Sequence, residues 1–229
     1  METLTQICYM VLAPISVISE SILIYGFWRL KQYENHPESL IFWQSLAQII
    51  LDIHWFTGIE TFHKAMSDFD CLFLGAFSLY FYYLSWNYIL ILAIEILLKI
   101  QNPVKTGYKK RRIWYHILAH LSSLVVFIII LTSGTDGASI MKTCFVEHQS
   151  IYELLAGFPV IFHFPLCIGI TLYALYISAG TFIVHYLKYH LLVVLVFALS
   201  WLPIGTIHAL NYKGFGVNIP LWAIYVNFN

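Results

Sequence analysis

Apolar runs of about 20 residues or more, separated by short polar breaks, recur along the whole chain, and such a run is what a hydrocarbon layer roughly 30 Å thick requires of a spanning helix. They fall at about 7–30, 40–62, 71–98, 113–133, 151–177, 181–210 and 216–229. The expectation is an all-α membrane protein, a single seven-transmembrane helix bundle over residues 1–229. A composition with 60% hydrophobic and only 10% charged residues leaves no charged surface for a soluble domain. The first run has no basic leader and is followed by Arg29 and Lys31, which suits a retained helix better than a cleaved signal. The weakest break is the fifth-to-sixth connection at Ser178-Ala179-Gly180.

The net charge of zero hides a strong asymmetry. Arg29, Lys31, Lys99, Lys105, Lys109, Lys110, Arg111, Arg112 and Lys188 fall on one side of the seven spans, against Lys64, Lys142 and Lys213 on the other. The positive-inside rule then puts the N-terminus outside, the C-terminus inside and the loop between helices 3 and 4 in the cytosol. With that orientation Cys71 and Cys144 both lie outside, where oxidising conditions allow a disulfide; two unpaired thiols are the alternative. Cys8 and Cys167 lie within spans, as small hydrophobes.

A seven-span chain with a Cys opening helix 3 and another in the second outer loop resembles a G-protein-coupled receptor. The end of helix 3, Glu95-Ile96-Leu97-Leu98-Lys99-Ile100-Gln101-Asn102-Pro103, is similar to the rhodopsin-like signature in its acid, Ile and Pro, while Ile96 replaces the usual Arg and leaves Glu95 with no neighbouring cation. FALSWLP (197–203) resembles the helix 6 signature and Pro165 the helix 5 proline. LIFWQSLAQ, Trp86-Asn87 and RRIWYHILAH look closest to the cyclic-AMP-receptor-like branch of protists and slime moulds. Gln48 stands where the family usually has an acid, with Asp52 one turn further out. Helix 7 stops at Asn229, where an Asn-Pro motif would begin, so a truncated helix is expected.

The resemblance implies a receptor that takes an extracellular ligand, a small molecule or short peptide, and signals to a heterotrimeric G protein. His54, Trp55, Glu60, Phe77, Tyr80, Phe81, His163, Trp201 and His208 are the ligand-binding candidates, aromatic groups with a few polar ones in the outer half of the bundle. Each aromatic alone reads equally as interface or core packing. Trp86, Pro165, Phe197, Trp201 and Pro203 are the candidate activation switch, a kinked helix among large aromatics. Glu20, Gln48, Asp52, Asn87 and Glu95 form an expected polar core, either a water or cation site or interhelical glue. Ile100, Pro103, Val104, Lys105 and Lys188 are candidates for the G-protein contact, on a basic face that also attracts anionic lipid.

A transporter, a channel or a structural subunit of a membrane complex are the alternatives; no internal repeat appears and intramembrane charges are few. A retinal protein needs a Lys in helix 7, and residues 216–229 contain none. No nucleophile, base or metal-ligand cluster converges in the sequence. The reading is therefore of a protein that is not an enzyme, with no cofactor, no metal and no nucleic-acid partner.

Overall fold

The computed structural model describes residues 2–31, 33, 38–57, 67–101, 108–134, 144–146 and 150–178, with isolated positions 188, 192 and 195. These residues form α1 (Glu2–Arg29), α2 (Glu38–Thr57), α3 (Asp68–Gln101), α4 (Tyr108–Leu131), α5 (Glu153–Phe158), a π-helical turn (Pro159–His163) and α6 (Phe164–Ile177). The last three run on as one rod. The expected helices at 181–210 and 216–229, and with them Phe197, Trp201, Pro203 and His208, lie outside the described residues. So do Glu60, Pro103, Val104 and Lys105.

Three helices, Asp68–Gln101, Arg111–Leu131 and Glu153–Ile177, are long and apolar enough to cross a membrane. The longest, α3, is apolar on all sides, the mark of a helix enclosed by others. It is the axis of the bundle: α2, α4, the π turn and α6 all pack against it, while α1 packs against α2. At 1.5 Å per residue α3 is about 50 Å long, more than a hydrocarbon core needs. One side chain therefore cannot serve both ends, and the two halves of α3 have separate cores. Around its first half lie Leu51, Trp55, Leu72, Leu79, Tyr82, Trp86, Ile130, Phe145 and Val160. Around its second half lie Leu40, Ala47, Leu84, Tyr88, Leu92, Ile96, Ala119 and Ala174.

Local chemistry sets the helix ends. Ser67 starts α3 as a capping box: its hydroxyl accepts from the Asp70 N–H at 3.2 Å and donates to the Asp70 carboxylate at 2.7 Å, satisfying an orphan donor of the first turn. Past the end of α4, Gly134 takes φ +70°, the left-handed conformation that closes helices and that glycine enters without a Cβ clash. Large aliphatic and aromatic side chains stay exposed along α1 and α4, among them Ile18, Ile22, Trp28, Ile117, Leu121 and Ile128. Such faces suit a hydrocarbon solvent, not water.

Candidate functional site

At the Cys71 end of the bundle the described segment Cys144–Val146 packs onto the helices. Cys71 and Cys144 are joined by a disulfide with Cα atoms 5.0 Å apart. His54 on α2 holds the same segment through its Nε2, 3.0 Å from the Cys144 carbonyl oxygen. Phe145, 1% exposed, drops between helices with its ring centroid 5.3 Å from Trp55 and 6.2 Å from Tyr82. Its backbone passes so close to α3 that a Cβ at position 75 would sit 2.3 Å from the Phe145 oxygen; only glycine leaves room for this approach. His54 and Trp55, both ligand candidates, are thus buried anchors of the segment.

Beside this plug the fifth rod carries its π turn, and the proline spacing explains it. In an α-helix the Leu155 carbonyl would accept from residue 159, but Pro159 has no N–H to give. The Tyr83 hydroxyl of α3 donates to that carbonyl at 2.6 Å, and the Tyr82 hydroxyl donates to the Ala156 carbonyl at 3.2 Å. Six residues on, Pro165 again lacks a donor, and between the two prolines the ladder slips to the longer register, with the Phe164 N–H bonded to the Pro159 oxygen. Pro165 itself stands in the first turn of α6. A π turn of this sort widens the helix locally and is found mostly at functional sites.

His163 leaves this turn toward α3, its ring centroid 6.4 Å from Tyr83 and 5.6 Å from Phe158, with Phe158 stacked on Tyr83 at 6.5 Å. His163 Nδ1 is buried and finds no hydrogen-bond partner among the described residues. Next to Tyr82 lies Trp86, 0% exposed, with ring centroids 6.5 Å apart. In this corner the aromatic rings pack on one another around a ring nitrogen, His163 Nδ1, that has no hydrogen-bond partner among the described residues. Replacing Tyr83 with Phe should strand the Leu155 carbonyl and cost about 1 to 2 kcal/mol. Thermal unfolding in detergent micelles checks this, and an unchanged midpoint would show that the carbonyl has another donor.

The remaining aromatic candidates are placed elsewhere. Phe77 and Phe81 run along the flank of α3 with Phe73, which meets Phe127 of α4 edge-on at 5.9 Å. Tyr80 bonds His120 Nδ1 on α4 at 2.5 Å. His163 is therefore the one candidate among the described residues that shares the corner with Tyr82, Tyr83 and Trp86. Tyr83 reads from the sequence as a cavity-lining aromatic, whereas Tyr82 was hidden in the run Tyr80-Phe81-Tyr82-Tyr83, in which every residue is aromatic; only the paired prolines hinted at carbonyls in need of donors.

The polar candidates divide among three places. Between α1, α2 and α3, Asp52 accepts from Ser16 at 2.7 Å and from Gln48 Nε2 at 3.1 Å, and Gln44 donates to Ser85 at 3.2 Å. Glu20 stands one turn beyond Ser16 on α1, half-buried. Between α3 and α4, Asn87 donates to Ser122 at 2.9 Å, and the Tyr88 hydroxyl bonds His116 Nδ1 at 2.8 Å and His120 Nε2 at 3.2 Å. At the far end of α3 stands Glu95. It does have a cation: Arg111 of α4 grips it with Nη2 at 2.7 Å and Nε at 3.2 Å, and the Tyr115 hydroxyl donates to the same carboxylate. The sequence expectation of an unaccompanied Glu95 looked along α3, whereas the partner comes across from the neighbouring helix. Ile100 is half-buried just beyond, and Lys188 is exposed. Among the described residues no three His, Cys, Asp or Glu side chains converge on a common point.

The sequence model of the slime mold cyclic AMP receptor family matches residues 1–186. No curated protein matches the chain.

Proposed function

Because the chain belongs to the slime mold cyclic AMP receptor family, we propose that it is a seven-span receptor that takes an extracellular ligand at the Cys71 end and signals to a heterotrimeric G protein at the Glu95 end. The family is a family of receptors, and its membrane setting agrees with the apolar helices. One observation carries the reading: a single helix, α3, carries the Tyr82-Tyr83-Trp86 corner near its middle and the Glu95 carboxylate further toward its C-terminal end, so both bear on one rigid element. The orientation follows from the basic residues, nine of twelve on the side of the loop between α3 and α4. The family description makes a cyclic nucleotide the first ligand to test. His163 gives it one hydrogen bond. His208, Trp201 and Glu60 complete the ligand set in this proposal, and Ile100, Pro103, Val104 and Lys105 contact the G protein.

The test is nucleotide exchange on purified heterotrimeric G protein with the receptor in lipid nanodiscs. Addition of cyclic AMP, or of another member of a cyclic nucleotide panel, should raise the exchange rate, and His163→Ala should shift the half-maximal concentration upward by roughly tenfold, the worth of one buried hydrogen bond. A flat response across the panel from well-folded receptor would sink the cyclic nucleotide assignment.

A further inference from the structure

We propose that Arg111 and Glu95 form a releasable latch that holds the first two turns of α4 against α3 and keeps the cytosolic face closed; the side on which it lies rests on the receptor reading above. The pair is bidentate, the geometry in which an Arg–carboxylate contact is strongest and most directional. Its two members are unequally enclosed: Glu95 is 1% exposed and Arg111 33%. The carboxylate is fixed within α3, while the guanidinium reaches it from the boundary of the bundle. A long cationic side chain at such a boundary has a second comfortable place, turned outward to the interfacial headgroups with its stem still on apolar surface. The carboxylate keeps a partner when the cation leaves, because the Tyr115 hydroxyl remains on it. Both arrangements are thus satisfied, which is what an element with two states requires.

The structure also supplies the hinge. Directly after Tyr115, His116 and, a turn later, His120 are bonded to Tyr88, and further along Asn87 is bonded to Ser122. These bonds hold α4 on α3 from His116 onward. Release of Arg111, with Tyr115 still on Glu95, therefore frees only the part of α4 that precedes Tyr115. In rhodopsin-like receptors the acid's neighbour is an Arg on the same helix; in this chain Ile96 fills that place and the cation comes from α4.

The experiment measures the distance between spin labels at Lys99→Cys on α3 and Ile113→Cys on α4, both exposed positions at this end. The background has Cys8 and Cys167 replaced by Ser, and the full chain is held in nanodiscs. The latched protein should give one short distance, with a longer one in less than about a tenth of molecules. Glu95→Gln, which preserves shape and hydrogen bonding, and Arg111→Gln should make the longer distance the major one. The exchanged pair Glu95→Arg with Arg111→Glu should restore the short one. If Arg111→Gln does not fold, Glu95→Gln and the exchanged pair still decide the matter. Unchanged distances in folded Glu95→Gln overturn the latch and leave the pair as static packing. Basal nucleotide exchange is read in parallel. A longer distance with exchange raised about tenfold supports both readings; a longer distance with exchange unchanged supports the latch and counts against the receptor reading.

Discussion

Replacing Cys144 with Ser should lower the stability of the folded bundle by about 2 to 4 kcal/mol and abolish the ligand response. The disulfide closes a loop of 73 residues, for which the chain-entropy argument gives about 4 kcal/mol in a free chain. In a bilayer the unfolded helices are already confined, which places the effect toward the lower figure. The chemical consequence is larger than the entropic one. Without the bond, the His54 contact and the burial of Phe145 and Val146 still hold the segment, and Trp55 and Tyr82 lose a neighbour whenever it lifts. In a chain of this size 1 kcal/mol corresponds to about 2 to 4 °C, so the unfolding midpoint in detergent should drop by roughly 5 to 15 °C. The wild-type protein treated with reductant should show the same drop, and a midpoint within a degree of the oxidised protein in both cases would mean that the segment is held by packing alone.

The second large effect is expected at Trp86. Truncation of a fully buried Trp to Ala removes the largest enclosed side chain of the first core and leaves a cavity between α3 and its neighbours, at a cost of about 3 to 5 kcal/mol. Trp86→Phe keeps most of the volume and an aromatic face toward Tyr82, so its cost should stay below about 2 kcal/mol. The pair separates packing from switching. Unfolding midpoints rank the two variants by volume, and ligand-stimulated exchange measured on Trp86→Phe reports the role of the indole itself. Trp86→Ala with a midpoint close to wild type would show that neighbouring side chains collapse into the space, and the rigid-core account of this end of α3 would be wrong.

Helical class and the membrane setting were legible because periodicity and length decide them: runs of twenty apolar residues have few other solutions. Positions along the chain were legible for the same reason to within a few residues: the third and fourth spans, expected at about 71–98 and 113–133, are the helices Asp68–Gln101 and Tyr108–Leu131. What stayed hidden was rotation. A helix that is apolar all round, as α3 is, gives no face to read, so nothing in the sequence separated Tyr82 and Tyr83, which turn toward the fifth rod, from Phe77 and Phe81, which turn to the flank shared with α4. The same ignorance of rotation concealed the partner of Glu95, sixteen positions away on the next helix. His54 illustrates a different gap: a polar side chain near one end of a span reads as a ligand group, and only the path of the loop shows that a backbone carbonyl already occupies it.

The contact of Asp52 with Ser16 has a consequence for how the protein is made. Helix α2 carries Gln44, Gln48, Asp52 and His54 within its 20 residues, and it is not among the helices apolar enough to cross a membrane by composition. A carboxylate within a span weighs against insertion, by up to about 3 kcal/mol at a helix centre and less toward its ends. Ser16 is synthesised before α2, and its hydroxyl reaches the Asp52 carboxylate at 2.7 Å; Ser85, which serves Gln44 and Gln48, arrives only afterwards. The first two helices thus share a polar seam that the axial helix completes through Ser85.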